Sequence, residues 1–322
     1  MDELAIGSLV ASTLRVSVPL ILCALAGLLS ERAGVIDLGL EGKMLATAFA
    51  AAATGAVTQS LPAALAVALA VGLALSMLQG YACVTHGGDQ VVFGMAITMT
   101  AAGATVVLGL AWFQQGGQTP PLDDAVRLGP WFTALGEQVG RLPGIGPGLA
   151  LALFGHTALV YGALALVAAI WWLLWRTRFG LRLRAVGENP AMVDAAGVGV
   201  ALLRYQALSL NGLLSALAGC SLVLAQNPSF IPNMTAGRGY MALAAMIFGK
   251  WHPAGALAAC LLFGFLDAVS IRLQGAELPL VGTVPVQAIQ ALPYLLTVVL
   301  LAGFIGRSRA PAALGRPYVK ER

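Results

Sequence analysis

Apolar runs of membrane-crossing length recur along this chain, at about residues 4–29, 61–84, 91–113, 151–175, 205–226, 253–272 and 285–305. About 20 apolar residues make a helix ~30 Å long, which matches the depth of a bilayer's hydrocarbon core. No water satisfies the backbone there, so only helices and closed barrels cross it. Barrel strands would alternate apolar and polar residues over roughly ten positions. These runs instead carry Ala and Gly throughout, and the chain's 39 glycines allow close helix approach. Charged residues make up 10% of the chain, against about 25% in a soluble domain. The expected fold is all-α, one polytopic transmembrane bundle over residues 1–322. The N-terminus, MDELAIG, is acidic and lacks a basic leader segment, so no cleavable signal is expected.

Two stretches interrupt the pattern. SERAGVIDLGLEGKML packs Glu31, Arg32, Asp37, Glu41 and Lys43 among Gly34, Gly39 and Gly42, in a region otherwise ready to span. Irregular backbone survives at membrane depth only where protein or a watery cavity satisfies it. The expectation is a broken or re-entrant element followed by a span near 43–57. The second interruption is QNPSFIPNMTAGRGY, followed by an apolar piece at 240–249 about half as long as a crossing requires. With both, the bundle should hold eight to ten membrane elements. Breaks at corresponding places in two halves predict a weak internal repeat, as in transporters with a path between repeats. Arg15, inside the first run, should face protein or reach an interface, since a mid-membrane charge costs roughly 2.5–3.5 kcal/mol.

Charge sets the orientation. The first half, 1–175, contains a Gly- and Pro-rich loop at 114–150 whose few basic residues are balanced by acids, so it should face outside. Loop 176–204 carries Arg176, Arg178, Arg182, Arg184 and Arg204 against Glu188 and Asp194, and should face the cytoplasm. So should the basic tail, 307–322, after a second half at 205–306. Trp171, Trp172 and Trp175 are placed for an interfacial belt. Within the basic loop, Asn189 reads as a helix cap and Pro190 as a first helical residue. Gly197 offers a left-handed stop. The spacing predicts a helix of about two turns, roughly 190–196, too short to be stable without packing.

Cys23, Cys83, Cys220 and Cys260 sit in separate apolar runs, and His86, His156 and His252 lie far apart. None of these has metal-ligand spacing, so neither metal nor cofactor is expected. GxxxxGK[ST], HExxH and GxSxG are absent, which removes phosphate-loop ATP binding and two hydrolytic routes. The chain is not expected to be an enzyme.

Four segments carry a family likeness: SERAGVIDLGLEGKML, RLRAVGENPAMVDAAGV, AGRGYMALAAMIFGKWHPAGALAACLLFGFLDA and RSRAPAALGRPY. They resemble permease subunits of bacterial ABC importers, in the branched-chain amino acid/ribose permease family and its nucleoside/simple-sugar branch. The likeness runs from about residue 15 to 320. It implies a multi-pass protein of the bacterial inner membrane that forms a translocation path with a second, homologous permease, most simply as a heterodimer. ATP and Mg²⁺ would sit on separate ATPase subunits, and an extracytoplasmic binding protein would deliver a small solute; no nucleic acid is implied. It also implies that the short helix docks on the ATPase, making Glu188, Asn189, Pro190, Asp194 and Gly197 the coupling residues. Nucleosides are the expected solute; simple sugars or branched-chain amino acids within the family, and a stand-alone secondary transporter, are the alternatives.

For the path, the candidates are polar residues stranded in or beside apolar spans: Asp37, Glu41, Asn211, Gln226, Asn227, Arg238, Gln287 and Gln290. Amide side chains there can hydrogen-bond ribose hydroxyls and base edges. The same residues can equally serve as polar glue between helices, and Asp37, Glu41 and Lys43 can pair with Arg32 to fold the first break.

Overall fold

The computed structural model describes residues 3–142, 146–273 and 309–319, with 277–278, 282–283, 291 and 295 between the last two. The apolar run at 285–305, Gln287 and Gln290 lie outside the described residues. Twelve helices are described: α1 (Glu3–Arg32), α2 (Leu40–Thr58), α3 (Leu61–Gly80), α4 (Gln90–Phe113), α5 (Thr133–Gly140), α6 (Gly146–Leu153), α7 (Ala158–Arg176), α8 (Arg178–Glu188), α9 (Pro190–Ala195), α10 (Val200–Cys220), α11 (Arg238–Phe248) and α12 (Pro253–Leu273). Beyond these there is one two-residue antiparallel pair, 277–278 with 282–283. Six helical spans are long and apolar enough to cross a membrane: Leu4–Arg32, Leu61–Thr85, Gln90–Phe113, Ala158–Arg176, Val200–Gln226 and Pro253–Leu273.

Short-range chemistry explains several boundaries. Asp89 accepts hydrogen bonds from the amides of Val91 and Val92 at 2.9 Å and so starts α4. Thr177 does the same for α8 through Gly180. The apolar run expected as one span at 151–175 is two helices, because Gly155, at φ +74°, ends α6 and leaves α7 to begin at Ala158. The basic arm before Asn189 is also a helix, α8, with Gly180, Leu183, Val186 and Gly187 buried and Arg178 and Arg182 exposed. This amphipathic period within a charge-rich stretch is legible at 3.6 residues per turn.

The middle of the bundle is α1, α2 and α10. From Val18 to Ser30 every residue of α1 is buried, and α2 buries most of its length. Close helix approach rests on glycine: a Cβ on Gly212 of α10 would lie 2.4 Å from the Gly72 carbonyl oxygen of α3. The four cysteines are free and buried, as small apolar core residues should be. α10 and α3 each end in a π-helical turn, Ser221–Gln226 and Tyr81–Thr85.

Candidate functional site

The first break is short. α1 runs on through Glu31 to Arg32, residues 33–39 are non-helical, and α2 starts at Leu40. Gly34 turns the chain at φ +82°. Of the two roles open to the charges here, lining a path or folding the break, the hydrogen bonds serve the second, with partners other than Arg32. Lys43 is 0% exposed, and its ammonium donates to Asp37 Oδ2 at 2.7 Å, Gln79 Oε1 at 2.6 Å and Asn211 Oδ1 at 2.9 Å. All three N–H donors are used on three different elements: the break, α3 and α10. Asp37 Oδ1 accepts from the Gly39 amide, and Gln79 donates to the Ile36 carbonyl. Asn211 also donates to the Ala26 carbonyl at 3.0 Å and the Ser30 hydroxyl at 3.3 Å, and accepts from Ser76. A buried charge is tolerable when it is paired and fully hydrogen-bonded, and here it is.

Glu41 joins the two breaks. Its carboxylate accepts the amides of Gly237 (2.8 Å) and Gly239 at the N-terminus of α11. An acid at a helix N-terminus satisfies orphan N–H groups and complements the dipole. The approach requires glycine: a Cβ on Gly239 would come within 2.6 Å of the Glu41 backbone. So three of the sequence-selected path residues, Asp37, Glu41 and Asn211, spend their polar atoms on holding the breaks.

The other three described ones, Gln226, Asn227 and Arg238, meet at a cleft of about 410 Å³. Ser12, Arg15 and Arg272 also line it. Gln226 donates to the Arg15 carbonyl at 2.9 Å, and Asn227 to the Leu222 carbonyl at 3.1 Å. Arg272 donates to the Ala5 carbonyl and the Ser8 hydroxyl, fastening α12 to α1. Arg15 sits about 25 Å along the helix axis from Arg32 at ~1.5 Å per residue, so the cleft mouth lies at the end of the bundle opposite α8 and α9. Arg15 and Arg272 were not among the path candidates, although Arg15 was expected to face protein or reach an interface. Both arginines lie inside apolar runs, and that was the signal available for them.

At the α8–α9 end the short helix forms as expected. Asn189 Oδ1 accepts the Met192 amide at 3.1 Å, Pro190 is the first helical residue, and Gly197 follows at φ +79°. Val193 anchors α9 in a small apolar cluster with Val186, Val200 and Leu203, while Met192 is 68% exposed. The basic tail packs beneath. Glu188 accepts the Ala312 amide, Asp194 accepts the Tyr318 hydroxyl, and Ala313 donates to the Gly187 carbonyl at 2.8 Å. Gly315 donates to the Gly34 carbonyl, reaching the first break. Arg204, the last arginine of the basic loop expected to face the cytoplasm, is only 1% exposed: its guanidinium donates to the carbonyls of Ala33 and Arg316. A fork of donors makes this possible, because it satisfies two chain ends at once. Alongside, Trp175 receives Arg32 and Arg184 at 5.7 and 5.2 Å and packs on His252. Burial, with the charge of Arg32, holds the His252 imidazole below its ordinary pKa. Among the described residues no group of His, Cys, Asp and Glu has the arrangement of a metal site.

Residues 9–303 match the family described as branched-chain amino acid transport system, permease component. Over 99% of both chains, the sequence is 38% identical to the guanosine ABC transporter permease NupQ of Bacillus subtilis. It is 35% identical to the nucleoside ABC transporter permease NupC of Lactococcus lactis, over 98% of this chain and 97% of that one. TsgC13 of Haloferax volcanii, described as a glucose ABC transporter permease, is 33% identical over 97% and 98%. Among solved structures, an inward-facing metal-chelate type ABC transporter superposes with a TM-score of 0.52 at 16% identity, over 92% of this chain and 85% of that one. That likeness concerns the fold alone.

Proposed function

The chain belongs to the branched-chain amino acid transport system permease family, and from that premise we propose that it is the membrane subunit of an ATP-driven importer of nucleosides. The observation that carries the solute class is the full-length likeness to two nucleoside permeases. The complete importer pairs this chain with a second, homologous permease. Two ATPase subunits dock at the α8–α9 end, and a binding protein delivers solute at the other. α2 and α11 are further helices beside the six spans of the described residues.

In this reading α9 is the coupling helix. Its exposed face, Ala191, Met192 and Ala195, meets the ATPase, with Asn189, Pro190 and Gly197 setting its ends and Glu188 and Asp194 at its rim. Motion has a continuous line of contacts to follow. From α9 it passes to the tail through Asp194 and Tyr318, and from the tail to the first break through Gly315 and Gly34. From the break it passes through Glu41 to α11, whose first residue, Arg238, lines the outer cleft. ATP-driven displacement of α9 would thus reach the solute end through a rigid chain of contacts.

Purification in mild detergent with mass-spectrometric identification of the subunits, followed by uptake of labelled nucleosides in cells lacking other nucleoside transporters, tests the proposal. Co-purifying ATPase and second permease with nucleoside uptake is the expected result. The likeness to TsgC13 favours one rival, a sugar permease; uptake of glucose or ribose with no nucleoside uptake would replace the proposal with it.

A further inference from the structure

We propose that the outer cleft recognises 6-oxopurine nucleosides through the guanidinium of Arg238. This rests on the nucleoside reading and narrows it. The cleft's size falls within the roughly 300–1,000 Å³ of small-molecule sites. It is lined by three arginines and no acid. Among the described residues none of the three has a carboxylate oxygen within 4 Å; Asp267, which precedes the lining residue Ala268 on α12, lies near enough to feel the charge of Arg238 without bonding to it. Arg272 is committed to α1. Arg15 uses only its Nε, on the Ala11 carbonyl.

That leaves a distinct set of groups for a ligand. The Arg238 guanidinium has no hydrogen-bond partner among the described residues. Gln226 and Asn227 use their amide nitrogens on backbone carbonyls, so their oxygens are the acceptors left over. Arg238 lies at the start of α11, about 15 Å from the Phe248 end of the helix. A bare charge facing lipid is costly, so its place is in a wet, protein-lined path. Arginine's planar fork matches two adjacent acceptors. The 6-oxopurines guanine and hypoxanthine offer such a pair, O6 and N7. Adenine puts a donor beside N7, and sugars carry no such edge. The oxygens of Gln226 and Asn227 accept from ribose hydroxyls. A carboxylate or phosphate presents the same paired acceptors as the oxopurine, so the test must separate them.

The site is built on backbone that does not depend on the Arg238 side chain, since the amides of Gly237 and Gly239 hold Glu41. Arg238→Lys therefore keeps the charge and the fold and removes the fork. The test uses the complete permease–ATPase complex in lipid nanodiscs without binding protein, read by equilibrium binding of labelled guanosine. The expected result is binding displaced by inosine, with adenosine about tenfold weaker. Arg238→Lys should lose that preference at an unchanged melting temperature, and Arg15→Lys should weaken guanosine binding less. If guanosine shows no preference over adenosine, or Arg238→Lys keeps it, while cells still accumulate nucleosides, the cleft assignment is overturned and the nucleoside reading stands. Displacement by acetate or inorganic phosphate as effective as by inosine makes the cleft an anion site and overturns the purine assignment. An importer that accumulates sugars but no nucleosides removes both.

Discussion

Glu41 accepts the amide hydrogen of Gly237 at 2.8 Å, tying the start of α2 to the start of α11 across 196 positions of sequence. With the second bond, to Gly239, the two interruptions of the apolar pattern become one structural unit. Each break supplies what the other lacks: α11 has unpaired N–H groups at its N-terminus, and α2 begins with a 7% exposed carboxylate.

Glu41→Ala should therefore destabilise the protein by about 1–3 kcal/mol, the usual cost of leaving buried polar groups unmatched. Glu41→Gln should fall between, since its amide nitrogen cannot accept from a backbone N–H. Thermal unfolding in detergent, followed by thiol labelling of the four buried cysteines, reads this directly. An Ala variant as stable as the parent would show that water serves α11 equally well.

Lys43 gives a second prediction, one of coupling. Removing it as Lys43→Met leaves Asp37 buried and unpaired and should cost roughly 3–5 kcal/mol. The double variant Lys43→Met/Asp37→Asn should be less damaged than the sum of the two singles, because no unpaired charge remains. Strict additivity would mean that the pair does not form. Gln79 and Asn211 lose their ammonium partner in either case, so the double variant should not regain parental stability.

How much of this was legible in the sequence differs between residues. The α9 helix was, because Asn189, Pro190 and Gly197 are local signals, and local geometry decides them. Six of the spans were, because bilayer depth fixes their length, although the run at 151–175 also holds the end of a separate short helix, α6. The partners of Lys43 and Glu41 were not: Asn211 and Gly237 lie far away in the chain, and nothing local says which polar residue finds which. Polar residues in apolar runs were legible as exceptions to the pattern. Their division into Asp37, Glu41 and Asn211, which hold the fold, and Gln226, Asn227 and Arg238, which line a cleft, needed three-dimensional placement. Arg204 read as a surface charge because it ends a basic loop, yet two backbone carbonyls bury it.

Gly197 tests the coupling proposal without touching a contact. A Cβ there would meet nothing within 4 Å, but its φ of +79° disfavours any L side chain. Gly197→Ile should cost about 1–2 kcal/mol locally and redirect the end of α9. Solute uptake per ATP hydrolysed should fall in the intact importer while membrane insertion is retained. Gly162→Ile, also in open space but without a positive φ, is the control. Equal coupling in the two variants would argue against α9 as the link.

Arg204 makes the last prediction, because it separates a tail that is merely packed from one that is strapped down. Its Nε donates to Ala33 at the end of α1, and Nη2 donates to Arg316 in the tail. The tail has further ties, from Ala313 to Gly187 and from Gly315 to Gly34, both through backbone. Arg204→Lys keeps a charge but offers a single donor head in place of a fork, so it cannot reach both carbonyls with the same geometry. The tail should then release more often, and because fraying is an equilibrium, trypsin cleavage after Arg309 should speed up several-fold. Arg204→Met should go further, leaving both carbonyls without their donor. If coupling runs through the tail, uptake should drop in the same order, Met below Lys below parent, with ATPase still bound. Faster cleavage with full uptake would keep the strap and remove it from the coupling route. Unchanged cleavage in both variants would mean that the backbone ties to Gly187 and Gly34 suffice to hold the tail.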